Sequence, residues 1–333
     1  MVAEPANTRR PWLSAQNTGL VLAAGLFLLV LAAYLALYAT ETDSAPGGFE
    51  LTSTVNNAIP LVFAALGQAL VVLTGGIDLS VGGLMDLTNA VAATQMRDDP
   101  GSIVLWSVLI LLIGAGAGLL NGLLVAYGRL QPILVTLATL AIFQGLALRV
   151  LPQPGGQVPA GLTRTLVNPD RPTGLLVVAF AALVWFVLRR TRFGIGIYAV
   201  GNDRRAARAS GVPVPRVIVG TYTASGVLAA AGGLLLAATT TGGDATAGDV
   251  FTLTSIAAVV IGGISLFGGR GSGIGAIVGA FVLTLLISVL FFAHIDPLFQ
   301  SLYEGIFLVL AATVTALLGY LVRRRLATRR GDR

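Results

Sequence analysis

Read for polarity, the chain is a succession of long apolar runs separated by short polar joints. A helix needs roughly 20 apolar residues to cross the hydrocarbon layer of a membrane, and residues 18 to 38 meet that length without a single charge. Ten such runs are readable, at about 17–39, 53–73, 78–96, 102–127, 131–151, 172–188, 217–240, 251–267, 273–292 and 299–322. Turn formers mark the joints, as in RDDPG after Met96 and PQPGGQVPAG after Leu151. The pattern predicts an all-α polytopic membrane protein of about ten transmembrane helices. It forms one transmembrane domain over 1–333, with an N-terminal stretch 1–16, a polar loop 189–216 and a basic tail 323–333.

The charges orient the spans. With the N-terminus in the cytoplasm, the inside joints hold Arg9, Arg10, Arg129, Arg189, Arg190, Arg192, Arg204, Arg205, Arg208, Arg216, Arg270, Arg323, Arg324, Arg325, Arg329, Arg330 and Arg333. Only Arg97, Arg149, Arg164 and Arg171 fall outside. This asymmetry follows the positive-inside rule and predicts both termini in the cytoplasm, which requires an even number of spans. Eight spans keep the asymmetry if two short spans beside residues 73–78 are one re-entrant feature.

Glycines recur at helical spacing in two spans: Gly114, Gly118 and Gly122, then Gly275 and Gly279. Small residues at that spacing let helix backbones approach closely, so these are read as packing seams and assigned no chemistry.

Composition sharpens the picture by exclusion. The 333 residues are 55% hydrophobic and 11% charged, with a mean hydropathy of +0.86, too apolar for one soluble core. Cysteine is absent and His294 is the single histidine, so neither a disulfide framework nor a histidine or thiolate metal site is expected. There is no lysine either, which removes the phosphate-binding GxxxxGK[ST] loop. Any ATP used must be hydrolysed on another chain. The formal net charge of +6 sits in arginine clusters between apolar spans, a topology signal that argues against nucleic acid. The apolar run after Arg9 and Arg10 is too long for a cleaved leader and is read as a retained first span.

Two polar stretches interrupt this pattern with chemistry. In LTGGIDLSVGG, residues 73–83, Gly75 and Gly76 close one helix and Asp78 stands where the next begins. There its carboxylate can accept from backbone N–H groups two or three residues on, a cap worth about 1 kcal/mol. An unpaired ion in hydrocarbon costs about 2.5–3.5 kcal/mol. Asp78 is therefore expected at a cytoplasmic mouth, in a polar cavity or beside an arginine. The second stretch, within residues 189–217, contains NDRRAARASG. Asn202 or Asp203 can cap a short helix there and Gly211 can end it. The plain reading is a solvated tether; the sharper one is a docking helix formed by Gly201, Asn202, Asp203, Arg204, Arg205, Ala206, Ala207, Arg208 and Gly211.

That second stretch resembles the cytoplasmic loop of permease subunits from ATP-binding-cassette importers, whose signature is Glu-Ala-Ala with a glycine after it. Ala206, Ala207 and Gly211 match, and Arg205 stands where the family has glutamate. LTGGIDLSVGG and IAAVVIGGISLFGGRGSGIGAIVGAF, residues 256–281, are similar to two further stretches of the ribose-type permeases. The resemblance implies a non-catalytic subunit of a bacterial sugar importer in the inner membrane. Its implied partners are a second permease copy, identical or paralogous, an ATPase pair carrying ATP and magnesium, and a periplasmic or extracellular binding protein. No cofactor is expected in this chain. Permeases for nucleosides or branched-chain amino acids share the broader family.

A sugar path needs amides, hydroxyls and an occasional aromatic rather than fixed charge. Candidates within the spans are Asn56, Asn57, Gln68, Asn89, Asn121 and Gln144, with Phe143 as a platform and Asp78 as a gate. Each is equally the kind of side chain that hydrogen-bonds one helix to another. Asn57 and Gln68, close to three turns apart, are expected to share a helix face. The turn GGRGSG, residues 268–273, lacks the strand and spacing of a dinucleotide site and is expected beside the docking loop. An ion-coupled transporter would need paired membrane acids, for which Asp78, Asp86 and Glu304 form a thin set. No carboxylate pair or activated nucleophile suggests an enzyme.

Overall fold

The computed structural model describes residues 18–296 and scattered positions between 299 and 313. The stretch 1–16, Glu304, the basic tail and most of the tenth predicted span lie outside the described residues. Within them the chain is helical throughout, with a single isolated bridge between Gly155 and Gly243 as its extended pairing.

Two helices form the axis, α2 (Gly48–Leu73) and α10 (Val214–Thr240), packed on each other. From Ala58 to Leu73 every side chain of α2 is buried. Around this pair stand α1 (Thr18–Thr42), α3 (Val81–Gln95), α4 (Pro100–Ala126), α5 (Pro132–Val150), α7 (Thr173–Leu188), α11 (Asp249–Ile261) and α12 (Gly273–Phe292). The short α6 (Ala160–Leu166) lies in the joint after α5, and α8 (Arg192–Asn202) and α9 (Arg204–Ala209) follow α7.

The packing inverts the logic of a soluble bundle. On α4, Val104, Leu105, Val108 and Leu112 are exposed while Gly114, Gly118, Asn121 and Gly122 are buried. Lipid is as apolar as leucine, so helices gain by turning small residues inward and letting backbones touch. The predicted glycine seam does this: a Cβ on Gly118 would collide with the Tyr222 carbonyl of α10, and one on Gly114 with the Gly226 carbonyl. Gly275 and Gly279 of α12 meet Gly262 and Ala258 at the end of α11 in the same way. Asp99 caps the start of α4, accepting from Ser102 N at 2.8 Å, with Pro100 behind it at the first helical position.

Among the described residues, six helices are long and apolar enough to cross a membrane: α1, α2, α4, α5, α10 and α12. A seventh arises if α7 and α8, bent by 75° at their joint, count as one span. The third and eighth predicted spans are thus shorter than expected. α3 has 15 residues and α11 has 13. At 1.5 Å per residue neither covers a hydrocarbon layer of about 30 Å. α3 is enclosed by protein, lying between α10, α5, α4 and α11, whereas α11 keeps Val250 and Leu253 exposed and is simply too short. Hydrophobicity alone does not separate contact with protein from contact with lipid.

Candidate functional site

The break between α2 and α3 carries Asp78. α2 ends at Thr74, and Gly75 takes φ +78°, a left-handed turn that favours glycine. Asp78 is 2% exposed. Its Oδ1 accepts from the Ser80 backbone N–H at 3.0 Å and from the Ser80 hydroxyl at 2.6 Å. Its Oδ2 accepts from the Ser225 hydroxyl of α10 at 3.0 Å. Asn121 of α4 donates to the Ser80 hydroxyl at 2.9 Å.

This corrects the capping expectation in part. The bond to the N–H two residues on is there, but α3 starts at Val81 and Ser80 occupies its cap position. Asp78 instead fastens a turn preceding that helix and ties it to α10 directly and to α4 through Ser80. Its partners are hydroxyls and an N–H rather than an arginine. Ser80 and Ser225 were not among the sequence candidates; the signal available was a lone serine in a span rich in glycine and alanine, Thr221 to Gly233.

The predicted docking helix forms as α9. Asp203 is its cap, accepting from Arg205 N at 2.7 Å and Ala206 N at 3.1 Å. Gly211 closes it at φ +81°, with Val212 N donating back to Ala207 O at 3.0 Å. Ala207 is buried, whereas Arg204, Arg205, Ala206 and Arg208 are exposed. Arg205, at the glutamate position of the motif, therefore belongs to an exposed arginine rim.

The docking segment and the Asp78 break meet at one junction. Gly201, at the end of α8, lies so close to the Leu73 carbonyl that a Cβ would overlap it, and that Cβ would stand 2.5 Å from Gly269 N. Gly269 N itself donates to Leu73 O at 2.9 Å. Arg204 reaches Thr74 O at 3.4 Å. The turn of Gly268 and Gly269 is thus beside the docking loop, as its sequence suggested, and locks the end of α2 against the end of α8.

The amide candidates divide. Asn121 belongs to the Asp78 cluster. Asn89 and Gln144 belong to a second cluster: Asn89 accepts from Asp244 N at 2.8 Å, Gln144 donates to Asp249, and Asp86 accepts from Gly248 N. Asp86 Oδ2 and Asn89 Nδ2 are buried there without a partner among the described residues. Asn56 holds the loop after α6, donating to Val167 O at 2.9 Å. Phe143 is buried on α5. Gln68 is fully buried with neither amide atom partnered among the described residues, while Asn57 is exposed. Spacing on α2 therefore does not give the two a common environment: before Ala58 only the face carrying Asn56 is covered, and Asn57 lies off it.

Comparison with known proteins now bears on these features. The family model of the permease component of branched-chain amino acid transport systems matches residues 51–312. That range holds both clusters, the junction and α9. The chain belongs to this permease family. The permease is 35% identical over 318 residues to the probable ABC transporter permease protein y4mJ of Sinorhizobium fredii, covering 92% of each chain. It is 32% identical to the ribose import permease protein RbsC of Escherichia coli K12, over 85% of this chain and 92% of that one. The fructose import permease protein FrcC of Rhizobium meliloti is 35% identical over 80% of this permease and 77% of its own length. No solved structure matches. The permease is a multi-pass membrane protein homologous to bacterial inner-membrane permeases, and a non-catalytic transmembrane subunit.

Proposed function

We propose that the permease forms the passage for a ribose-like monosaccharide handed over by a separate binding protein and driven by a separate ATPase. In this reading it has ten membrane segments with both termini in the cytoplasm, and works as a pair with a second permease copy. The ATPase lands on α9 and its arginine rim, Gly201 to Gly211. The observation that carries the reading is the junction: Gly201 meets the Leu73 carbonyl at the end of α2 through backbone atoms, five residues before Asp78 binds Ser225 of α10. A displacement of α9 that carries the end of α8 with it meets the Leu73 carbonyl with no side chain at Gly201 to absorb it, so it moves the break. Such a rigid joint suits an element that is switched between two arrangements from outside.

The route draws on Asn89, Gln144 and Asp86 at one end and on Asp78 and Asn121 at the other, with Gln68 between them on α2. Sugar is favoured by the ribose and fructose importers among the relatives. The family description, which names branched-chain amino acid transport, supports such an amino acid as the second reading.

The test is reconstitution of the permease with the ATPase and binding protein encoded beside it. Uptake of a labelled pentose or hexose, dependent on both partners, is the expected result. Accumulation by the permease alone, driven by an ion gradient, would overturn it. Uptake of leucine in place of sugar would select the second reading.

A further inference from the structure

At the arginine-rich end of the bundle, α8 and the turn before α12 enclose a cavity of about 370 Å³, within the range of roughly 300–1,000 Å³ typical of small-ligand sites. Arg189 and Arg270 line it, along with Asn202 and the backbone of Gly271 and Ser272. No carboxylate is among its lining residues. Neither arginine forms an ion pair among the described residues, where the pair found is His294 with Glu41. Guanidinium groups only donate and stay charged. The Gly271 carbonyl is already engaged by the Tyr198 hydroxyl at 2.8 Å. Ser272 caps α12, whose 20-residue length directs the positive end of its dipole at the same space.

The cavity's depth is set by its apolar wall. Leu20 stands in the first turn of α1 and Ile274 in the first turn of α12, and both helices are of spanning length. The opening is therefore at the level where these helices leave the membrane. Ile195, also on its lining, is 61% exposed. Arg189 and Arg270 are exposed beside it while Leu20 and Ile274 are half-buried, so a ligand that fits must bring negative charge to the two arginines and apolar mass to the leucine and isoleucines, at that level.

We propose that this cavity holds the phosphate of an acidic phospholipid, gripped by Arg189 and Arg270, with its glycerol and first methylenes against Leu20, Ile195 and Ile274. Basic pockets between membrane helices take anionic headgroups on these terms. Because Asn202 and Gly269 belong to both the cavity lining and the junction with α2, a bound lipid braces the joint.

Native mass spectrometry of the purified permease, with phosphatidylglycerol and phosphatidylcholine supplied together, tests this. The expected result is selective retention of phosphatidylglycerol, weakened about tenfold in Arg189→Gln/Arg270→Gln by the loss of two charge-assisted contacts. Arg129→Gln/Arg216→Gln, which changes exposed charge outside the cavity, should retain the lipid as the wild type does. Circular dichroism and the single substitutions guard against misfolding of the double variant. Equal retention of the two lipids, or equal retention by wild type and double variant, would overturn the proposal. So would displacement by millimolar inorganic phosphate, which would move the ligand to soluble phosphate. Displacement by the purified ATPase would reassign the cavity to that partner.

Discussion

Ser225 on α10 donates a hydrogen bond to the Asp78 carboxylate at 3.0 Å, across 147 positions of sequence. With Asn121 bound to Ser80, it fixes the only non-helical segment between α2 and α3 to two neighbouring helices. Replacing Asp78 by leucine strands two hydroxyls and an N–H, each at a cost of about 1–3 kcal/mol when buried. Asp78→Asn keeps an oxygen for Ser80 or Ser225. We expect Asp78→Leu to lose most of its yield or melt far lower in detergent, and Asp78→Asn to retain much of both yield and uptake. Wild-type melting in Asp78→Leu would remove this account.

Ser225→Ala is the gentler probe of the same bond. It leaves Asp78 with both Ser80 donors, so a loss of about 1 kcal/mol is expected. Thermal melting should fall by a few degrees, with assembly intact; a drop as large as that of Asp78→Leu would mean that Ser225 has a role beyond this bond.

Gly201→Ala and Gly211→Ala separate contact from conformation. At Gly201 the new methyl would overlap the Leu73 carbonyl, a backbone atom that cannot rotate away. At Gly211 nothing lies within reach, and the cost is the left-handed backbone alone, about 1 kcal/mol. Uptake should be abolished by Gly201→Ala and dented by Gly211→Ala, measured at matched protein level in membranes.

Removing the α9 cap tests the landing surface. Asp203→Ala should cost about 0.5–2 kcal/mol, confined to a six-residue helix. Capture of the ATPase should weaken while permease yield stays constant. If capture is unchanged both here and in Arg204→Gln/Arg205→Gln, α9 is not the landing surface.

Asn89→Ala and Asn57→Ala bracket the route. Asn89 is buried and holds Asp244, so yield and uptake should fall together. Asn57 is exposed, so yield should be unaffected, and a selective fall in uptake would place it at a surface the solute or a partner touches.

Much of the local structure was legible. The cap at Asp203, the stop at Gly211 and the seam of Gly114, Gly118 and Gly122 follow from short-range rules, since each needs only neighbours within a turn or a repeat of small residues. Lengths and environments were less so. Residues 78–96 read as a span because composition does not separate a protein-enclosed helix from a lipid-facing one, and 251–267 because composition does not show where a helix ends. Asn57 and Gln68 matched in phase yet not in burial, because phase says nothing of where neighbouring helices stop.

By itself the sequence determined that this chain lives in a membrane, where its helices cap and break, and which motifs it shares with importer permeases, because those properties are written in composition and in neighbouring residues. The tertiary structure decided that Asp78 answers to Ser225, that Gly201 wedges against Leu73, and that α3 is enclosed by protein. These depend on which distant helices lie side by side, and that is settled by the packing of the whole bundle.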